Sequence, residues 1–275
     1  MNGTKINKLH ASYRLDEVIE IMKSIFTTGL SRLIRVAKRI FFYGNRFYCP
    51  CCDGNFRTMQ PYKGSFYIRG VLVDAYTKNA ICPNCGSHMR YRFILEFLKK
   101  HTDIEMRKIK LLHVAPEKQI SDFFKKQKNI EYFAGDIDPS RYANAVGLDM
   151  TNIHFPTDSF DVIVCSHVLE HIQKDEQAIR EMYRVTKTGG WAIVVVPIYD
   201  EDFEDTSLDY VGREKMYGIG DHKRLNSVAR LKLKLNNAGF NVRVYSFDDI
   251  PGNYVDRTAK SLYVASDRYL FFCTK

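Results

Sequence analysis

A chain of 275 residues, 45% hydrophobic and 27% charged, can bury a sizeable core and is longer than an ordinary single domain, so a main domain with a smaller appendage is expected. It has no low-complexity tract, no repeat period, no apolar segment of a signal peptide and no run near the ~20 residues of a bilayer span, which excludes solenoid and membrane-spanning classes and predicts a cytoplasmic protein. The net charge of +9 points to an anionic partner, whether nucleic acid, anionic lipid or polyanionic saccharide, without choosing among them.

Much of that charge lies at the start of the chain. Between Met1 and Tyr48, nine Lys and Arg residues face only Asp16, Glu17 and Glu20. From Leu30 to Phe41 the apolar residues Leu30, Leu33, Ile34, Ala37, Ile40 and Phe41 recur at helical spacing, with Arg32, Arg35, Lys38 and Arg39 between them. The spacing predicts a basic amphipathic helix within a region spanning 1–46. A surface helix docking its apolar stripe on the rest of the protein is the expectation, and peripheral contact with an anionic membrane is the secondary hypothesis.

Residues 47–87 read as a small separate unit. "FYCPCCDGNF" and, about thirty residues later, "AICPNCGSHMRYR" supply two C-x-x-C turns, Cys49 with Cys52 and Cys82 with Cys85, with Gly54 and Gly86 following. Each turn presents two thiolates to one point, and four thiolates satisfy tetrahedral zinc in a closed structural site. In a reducing cytoplasm the seven cysteines are expected as thiols, metal ligands or core residues rather than disulfides. Unmetallated thiol turns are the alternative, and Cys51 and His88 are substitute ligands that would need a different spacing. Between the pairs, "GSFYIRGVLVDAYTKNA" alternates apolar and polar residues around Gly70 and predicts a short zinc-ribbon-like hairpin.

From 88 to 198 helices and strands alternate. The pattern predicts helices over 88–100, 117–128 and 174–186, and strands at 109–114, 130–135, 143–148, 160–166 and 191–197. Continuous apolar strands separated by amphipathic helices form a parallel sheet covered on both faces. Ligands of such sheets bind at the carboxyl ends of the strands, near the point where strand order reverses, so the site is sought after 114, 135, 148 and 166. An acidic insertion, "YDEDFEDTSLDYVGREKMYGIG", follows and suits a substrate lid. Then "DHKRLNSVARLKLKLNNAGF" reads as a helix stopped at Gly239, and "NVRVYSF" and "RYLFFCT" as two closing strands.

The run "HFPTDSFDVIVCSHVLEHIQKDEQAIREMYRVTKTGGWAIVVVP" resembles class I S-adenosylmethionine-dependent methyltransferases of the type 11 group. More narrowly, "CPNCGSHMRYRF" followed by "LLHVAPE", "GDIDPSRY", "DHKRL" and "AGF" is similar to a bacterial subgroup with a zinc-ribbon-like N-terminus and a reduced first motif. The resemblance covers about 47–275. It implies an α/β, Rossmann-like, doubly wound seven-stranded sheet over 88–275, S-adenosyl-L-methionine as cofactor and a structural Zn2+.

The resemblance also places roles. Asp136, in "AGDIDP", aligns with the acid that holds the ribose hydroxyls, with Asp138 as the fallback; a carboxylate there accepts two hydroxyl donors at once. Asp149, in "GLDMT", falls where the adenine amino group is met, with the Met150 backbone beside it. Ser166, His167, Glu170 and His171 line the mouth after the 160–166 strand, with His171 read as a packing residue. Arg90 and Arg92 match the subgroup's "RxR", a fork for the methionine carboxylate or an anionic acceptor. In "LLHVAPE" the usual glycines are replaced. S-adenosylmethionine has no pyrophosphate, so Ala115, Pro116 and Glu117 need only let the backbone approach its amino-acid end, with Glu117 in the first helical turn or meeting the ligand's ammonium group.

A sulfonium is already a good electrophile, so the protein must mainly align the acceptor and exclude water. For a hydroxyl acceptor a base near neutrality helps, and His222 in "DHKRL" is the leading candidate, with His167 second. A small-molecule or saccharide-type acceptor is the expectation. An RNA methyltransferase and a catalytically idle binding module are the alternatives; the basic N-terminus supports the first and the altered first motif the second.

Overall fold

The computed structural model describes residues 33–34, 36–68, 71–198, 203–204, 211–212, 214, 222–256 and 267–275. Most of the acidic insertion and residues 1–32 therefore lie outside the described residues.

The cysteine-bearing unit is two hairpins. β1 (Tyr43–Cys49) pairs antiparallel with β2 (Gly54–Phe56), and β3 (Gln60–Ile68) with β4 (Val71–Ile81). The second hairpin begins at Gln60, ahead of the "GSFYIRG" run, and is longer than expected. The main domain then runs α1 (Met89–His101), β5 (Ile109–Val114), α2 (Lys118–Phe124), β6 (Ile130–Asp136), β7 (Ala145–Gly147), β8 (Phe160–Ser166), α3 (Asp175–Val185) and β9 (Thr186–Val195). A short antiparallel pair follows, β10 (Phe203–Glu204) with β11 (Arg224–Leu225), then α4 (Val228–Asn237), β12 (Asn241–Ser246) and β13 (Tyr269–Thr274).

Seven strands form one sheet in the order β12-β13-β9-β8-β5-β6-β7. The five strands from β9 to β7 are parallel, and β13 runs antiparallel to both of its neighbours. Strand alternation sends Leu111, Val162, Val164 and Ile193 to one face, where Phe93 and Phe97 of α1 and Ile120 and Phe124 of α2 cover them. Leu112, Ile163, Cys165 and Val194 meet α3 and α4 on the other, through Ile179, Met182, Leu231 and Leu235. This is the doubly wound, Rossmann-like seven-stranded sheet that the resemblance implied, with both faces covered as the pattern predicted.

Three elements differ from expectation. The helix expected over 117–128 is only Lys118–Phe124, because Lys126 and Gln127 donate instead to Phe123 and Phe124 three residues back. "DHKRL" is not helical: α4 starts after Ser227, whose hydroxyl caps it by accepting from the Arg230 amide, and it ends before Gly239 at φ 113°. The N-terminal helix, seen over 33–34 and 36–41, does not bury its stripe, since Leu33, Ile34, Ile40 and Phe41 are all exposed among the described residues.

Candidate functional site

β5 and β8 are adjacent and parallel, but the chain leaves β5 toward β6 and leaves β8 toward β9 on the opposite side. The loops after Val114 and Ser166 therefore diverge and open a crevice at the carboxyl ends. Both turn on a non-glycine residue in the left-handed region, Ala115 at φ 47° and His167 at φ 55°. "LLHVAPE" thus keeps the backbone turn a glycine would make, and its Ala115 amide donates to the Gly135 carbonyl at 2.8 Å.

Glu117 is the N-cap residue just before α2 rather than part of its first turn, and its side chain makes no capping bond. It turns back to the buried His113, Oε2 to Nε2 at 3.0 Å, while His113 Nδ1 lies 3.0 Å from Tyr132 Oη. Burial alone would raise the Glu117 carboxyl, but His113, with the Ser166 hydroxyl and Arg90 adding, holds it below the ordinary carboxylate value. A charged, half-buried acid therefore stands behind the Ala115–Pro116 turn, and Ser166 is buried beside it.

Asp136 is buried at the end of β6, where Oδ1 accepts the Asp138 amide at 2.8 Å. Asp138 is exposed and spends Oδ1 on Ser140, capping the single turn Pro139–Arg141. The Leu148 amide donates to the Asp136 carbonyl and brings 149–150 alongside, with Asp149 exposed in a turn closed on Thr151 and Met150 buried.

Across the crevice His167 Nε2 lies 3.0 Å from Asp267 Oδ1, and His167 Nδ1 lies 3.5 Å from Glu170 Oε1. Arg90 Nη1 pairs with Asp267 Oδ2 at 3.2 Å, and its guanidinium sits over the Tyr91 ring. Burial would raise Asp267, but the charges of His167 and Arg90 pull it down to about 2. Burial would lower His167, but Asp267, with Glu170 adding, holds it above the ordinary imidazole value. Burial pushes Glu170 up. The His171 and His222 rings meet edge to face at 4.8 Å. Asp267 was not singled out from the sequence; the available signal was that an antiparallel final strand starts at the end where its parallel neighbours finish.

The two arginines of "RxR" part company. Arg92 is fully buried and donates to the carbonyls of Asn79, Ala80, Ser87 and Tyr254, so only Arg90 faces the site. The sequence reading also missed Arg224, whose buried guanidinium donates to the carbonyls of Leu169, Ile172 and Gln173 and lies 3.3 Å from Asp175. That clamp, with the Lys223 amide on the Glu170 carbonyl at 2.7 Å, sets His222 against the turn after β8. It also explains why "DHKRL" is not helix. A basic cleft of about 500 Å³ lined by Lys108, Lys110, Lys128 and Lys187 lies at the amino ends of the strands, away from this chemistry.

The four cysteines converge, with all sulfurs within 4.8 Å and the pairs Cys49–Cys85 and Cys52–Cys82 at 3.7 Å. A tetrahedron with Zn–S bonds of ~2.3 Å has edges of about 3.8 Å, so the cluster fits zinc. The Ser87 hydroxyl lies 3.2 Å from Cys49 Sγ, and Gln119 of α2 donates to the Cys85 carbonyl. Cys51 stands outside this set, and His88 packs between the rings of Tyr62 and Tyr91, where burial pulls it down to about 4.

Among curated proteins no sequence matches this chain. Solved structures resemble it. A S-adenosylmethionine-dependent methyltransferase from Archaeoglobus fulgidus is 18% identical over 69% of this chain and 95% of its own, with a TM-score of 0.47. The 1,6-didemethyltoxoflavin-N1-methyltransferase of Burkholderia thailandensis, with S-adenosylhomocysteine bound, is 13% identical over 68% of this chain and 87% of its own, TM-score 0.43. The [4+2]-cyclase SpnF is 16% identical with a TM-score of 0.44, and the match covers 58% of this chain and 63% of SpnF, less than two thirds of its length. Residues 114–194 match the type 11 family described as "Methyltransferase domain", and the strand ends that hold Ala115, Asp136, Asp149 and Ser166 all fall within that match.

Proposed function

We propose that this domain transfers the methyl group of S-adenosylmethionine to a small-molecule or saccharide-type acceptor. The observation that carries the reading is the crevice between β5 and β8, with a glycine-like turn at Ala115 on one wall and, on the other, a half-buried His167 paired with the buried Asp267. In this reading the Ala115–Pro116 backbone and Glu117 hold the amino-acid end of the cofactor, the charged Glu117 facing its ammonium. Asp136 takes the ribose hydroxyls in preference to Asp138, which is committed to its own turn. Asp149 and the Met150 backbone take the adenine, and Ser166 and Arg90 border the reacting end.

The acceptor then lies between His167 and His222. His167 is the stronger base candidate, because Asp267 fixes its ring and balances the imidazolium formed when it accepts a proton. Cys49, Cys52, Cys82 and Cys85 hold a structural zinc that organises 47–87 beside a catalytic unit over 88–275, with 1–46 as a separate basic region. An RNA acceptor is the second reading, favoured by the exposed basic helix around Arg39.

Calorimetric titration with S-adenosylmethionine and S-adenosylhomocysteine tests the assignment. Saturable binding of both, weakened by Asp136→Ala, is expected. No binding at millimolar ligand would end the enzyme reading and leave an idle module.

A further inference from the structure

A carboxylate and two imidazoles converge on the turn after β8. One donor atom each from Glu170, His171 and His222 lies within 4.8 Å of the others, with Glu170 Oε1 4.0 Å from His171 Nε2. An ion bound at ~2.0–2.2 Å from such donors sets neighbouring donors about 3.0–3.5 Å apart, so the cluster needs to draw in by about an ångström, within reach of side-chain rotation.

Glu170 supplies the independent pointer. It is 2% exposed, and neither carboxylate oxygen receives a hydrogen bond among the described residues. A buried carboxyl without donors is costly unless a cation meets it. The nearest groups are the imidazoles themselves, His167 Nδ1 at 3.5 Å and His171 Nε2 at 4.0 Å. The Arg224 clamp and the Lys223 amide hold the backbone that carries His222 in place, so the cluster is built by the fold rather than by loose surface chains.

We propose that Glu170, His171 and His222 form a divalent-metal site on the acceptor side of the crevice, and that the acceptor is a hydroxyl compound whose oxygen binds that ion. The second half rests on the methyl-transfer reading; the first does not. Two imidazoles and one carboxylate suit a first-row transition ion and leave coordination positions open to substrate and water. A bound hydroxyl is acidified by the ion. Its proton passes to neutral His167, the oxygen's electron pair forms the new carbon–oxygen bond, and the methyl carbon–sulfur bond breaks with its pair retained on sulfur as S-adenosylhomocysteine. His222 thus acts as a ligand, and proton removal falls to His167.

Mn2+ is the probe, because the thiolates of the cysteine site favour softer ions. Titration of the purified full chain, followed by the electron paramagnetic resonance signal of free Mn2+, should give one saturable equivalent per chain. Affinity should fall about tenfold or more in Glu170→Gln, His171→Ala and His222→Ala, with the melting temperature and cysteine-bound zinc retained. Should a variant fail to fold, paramagnetic broadening of the His171 and His222 ring signals by Mn2+ in the unmutated protein gives the same answer. No saturable Mn2+, or affinity unchanged in all three variants, overturns the site, even where S-adenosylhomocysteine binds. Mn2+ binding without S-adenosylhomocysteine binding supports the site and overturns the hydroxyl-acceptor half.

Discussion

The half-buried His167 pairs with the buried Asp267, Nε2 to Oδ1 at 3.0 Å, although one hundred positions separate them in the chain. The pair should be visible in pH dependence. As a base His167 must be neutral, so turnover should rise with pH through its raised pKa, and Asp267→Asn should move that acid limb to lower pH. Stability follows the same signs. The raised imidazole contributes fully below its unfolded pKa of ~6.5 and less as pH rises through the folded value, whereas the depressed carboxyl contributes above ~3.9 and loses this as pH falls toward about 2. Urea unfolding should therefore show the largest wild-type advantage over Asp267→Asn between pH ~4 and ~6.5. A constant difference from pH 4 to 9 would contradict the pairing.

Ala115 holds a left-handed backbone at φ 47°, which costs an L-residue about 1–2 kcal/mol. Glycine would relieve this while adding ~0.5–1 kcal/mol of unfolded-chain entropy. Ala115→Gly is thus expected to stabilise by about 0.5–1 kcal/mol in urea titration, with cofactor binding retained. Destabilisation would mean that the methyl group packs usefully.

Cys82→Ser should drop zinc well below one per chain in elemental analysis and lower the melting temperature. The loss should spread to α2, because Gln119 donates to the Cys85 carbonyl. Full zinc content in the variant would remove the four-cysteine assignment.

Arg224→Met removes donors from three carbonyls and one partner of Asp175, leaving Lys234 Nζ at 2.8 Å to that carboxylate. Breaking such a buried network costs about 3–5 kcal/mol. Hydrogen exchange should locate the loss around 169–175 and 222–226; uniform loss across the sheet would argue against a local clamp.

The exposed Leu33, Ile34, Ile40 and Phe41, beside Lys38 and Arg39, present an apolar and basic helix surface. Co-sedimentation with anionic vesicles should fall when 1–45 is deleted and should weaken with salt. Equal sedimentation of both forms would exclude a lipid role for this segment.

The sheet was legible because "FDVIVCS" and "WAIVVVP" are continuous apolar runs that only a strand buried on both faces tolerates. The cysteine cluster was legible because two C-x-x-C turns constrain geometry by themselves. The acceptor side was not. Arg92 looks like a ligand-binding cation in sequence, yet burial turns it, like the unheralded Arg224, into a tie for backbone carbonyls, and nothing local distinguishes the two uses. Asp267 becomes a site residue only through sheet order, which strand patterns do not encode.

That sheet order has a kinetic side. β13 follows β12 in the chain but lies between β12 and β9, so β12 has no place on the sheet until β13 is seated. Asp267 precedes β13 by two residues and reaches His167 only with it. The His167 imidazole therefore receives its carboxylate in the same event that completes the sheet, and a refolding chain should regain its His167 titration only with its final cooperative step.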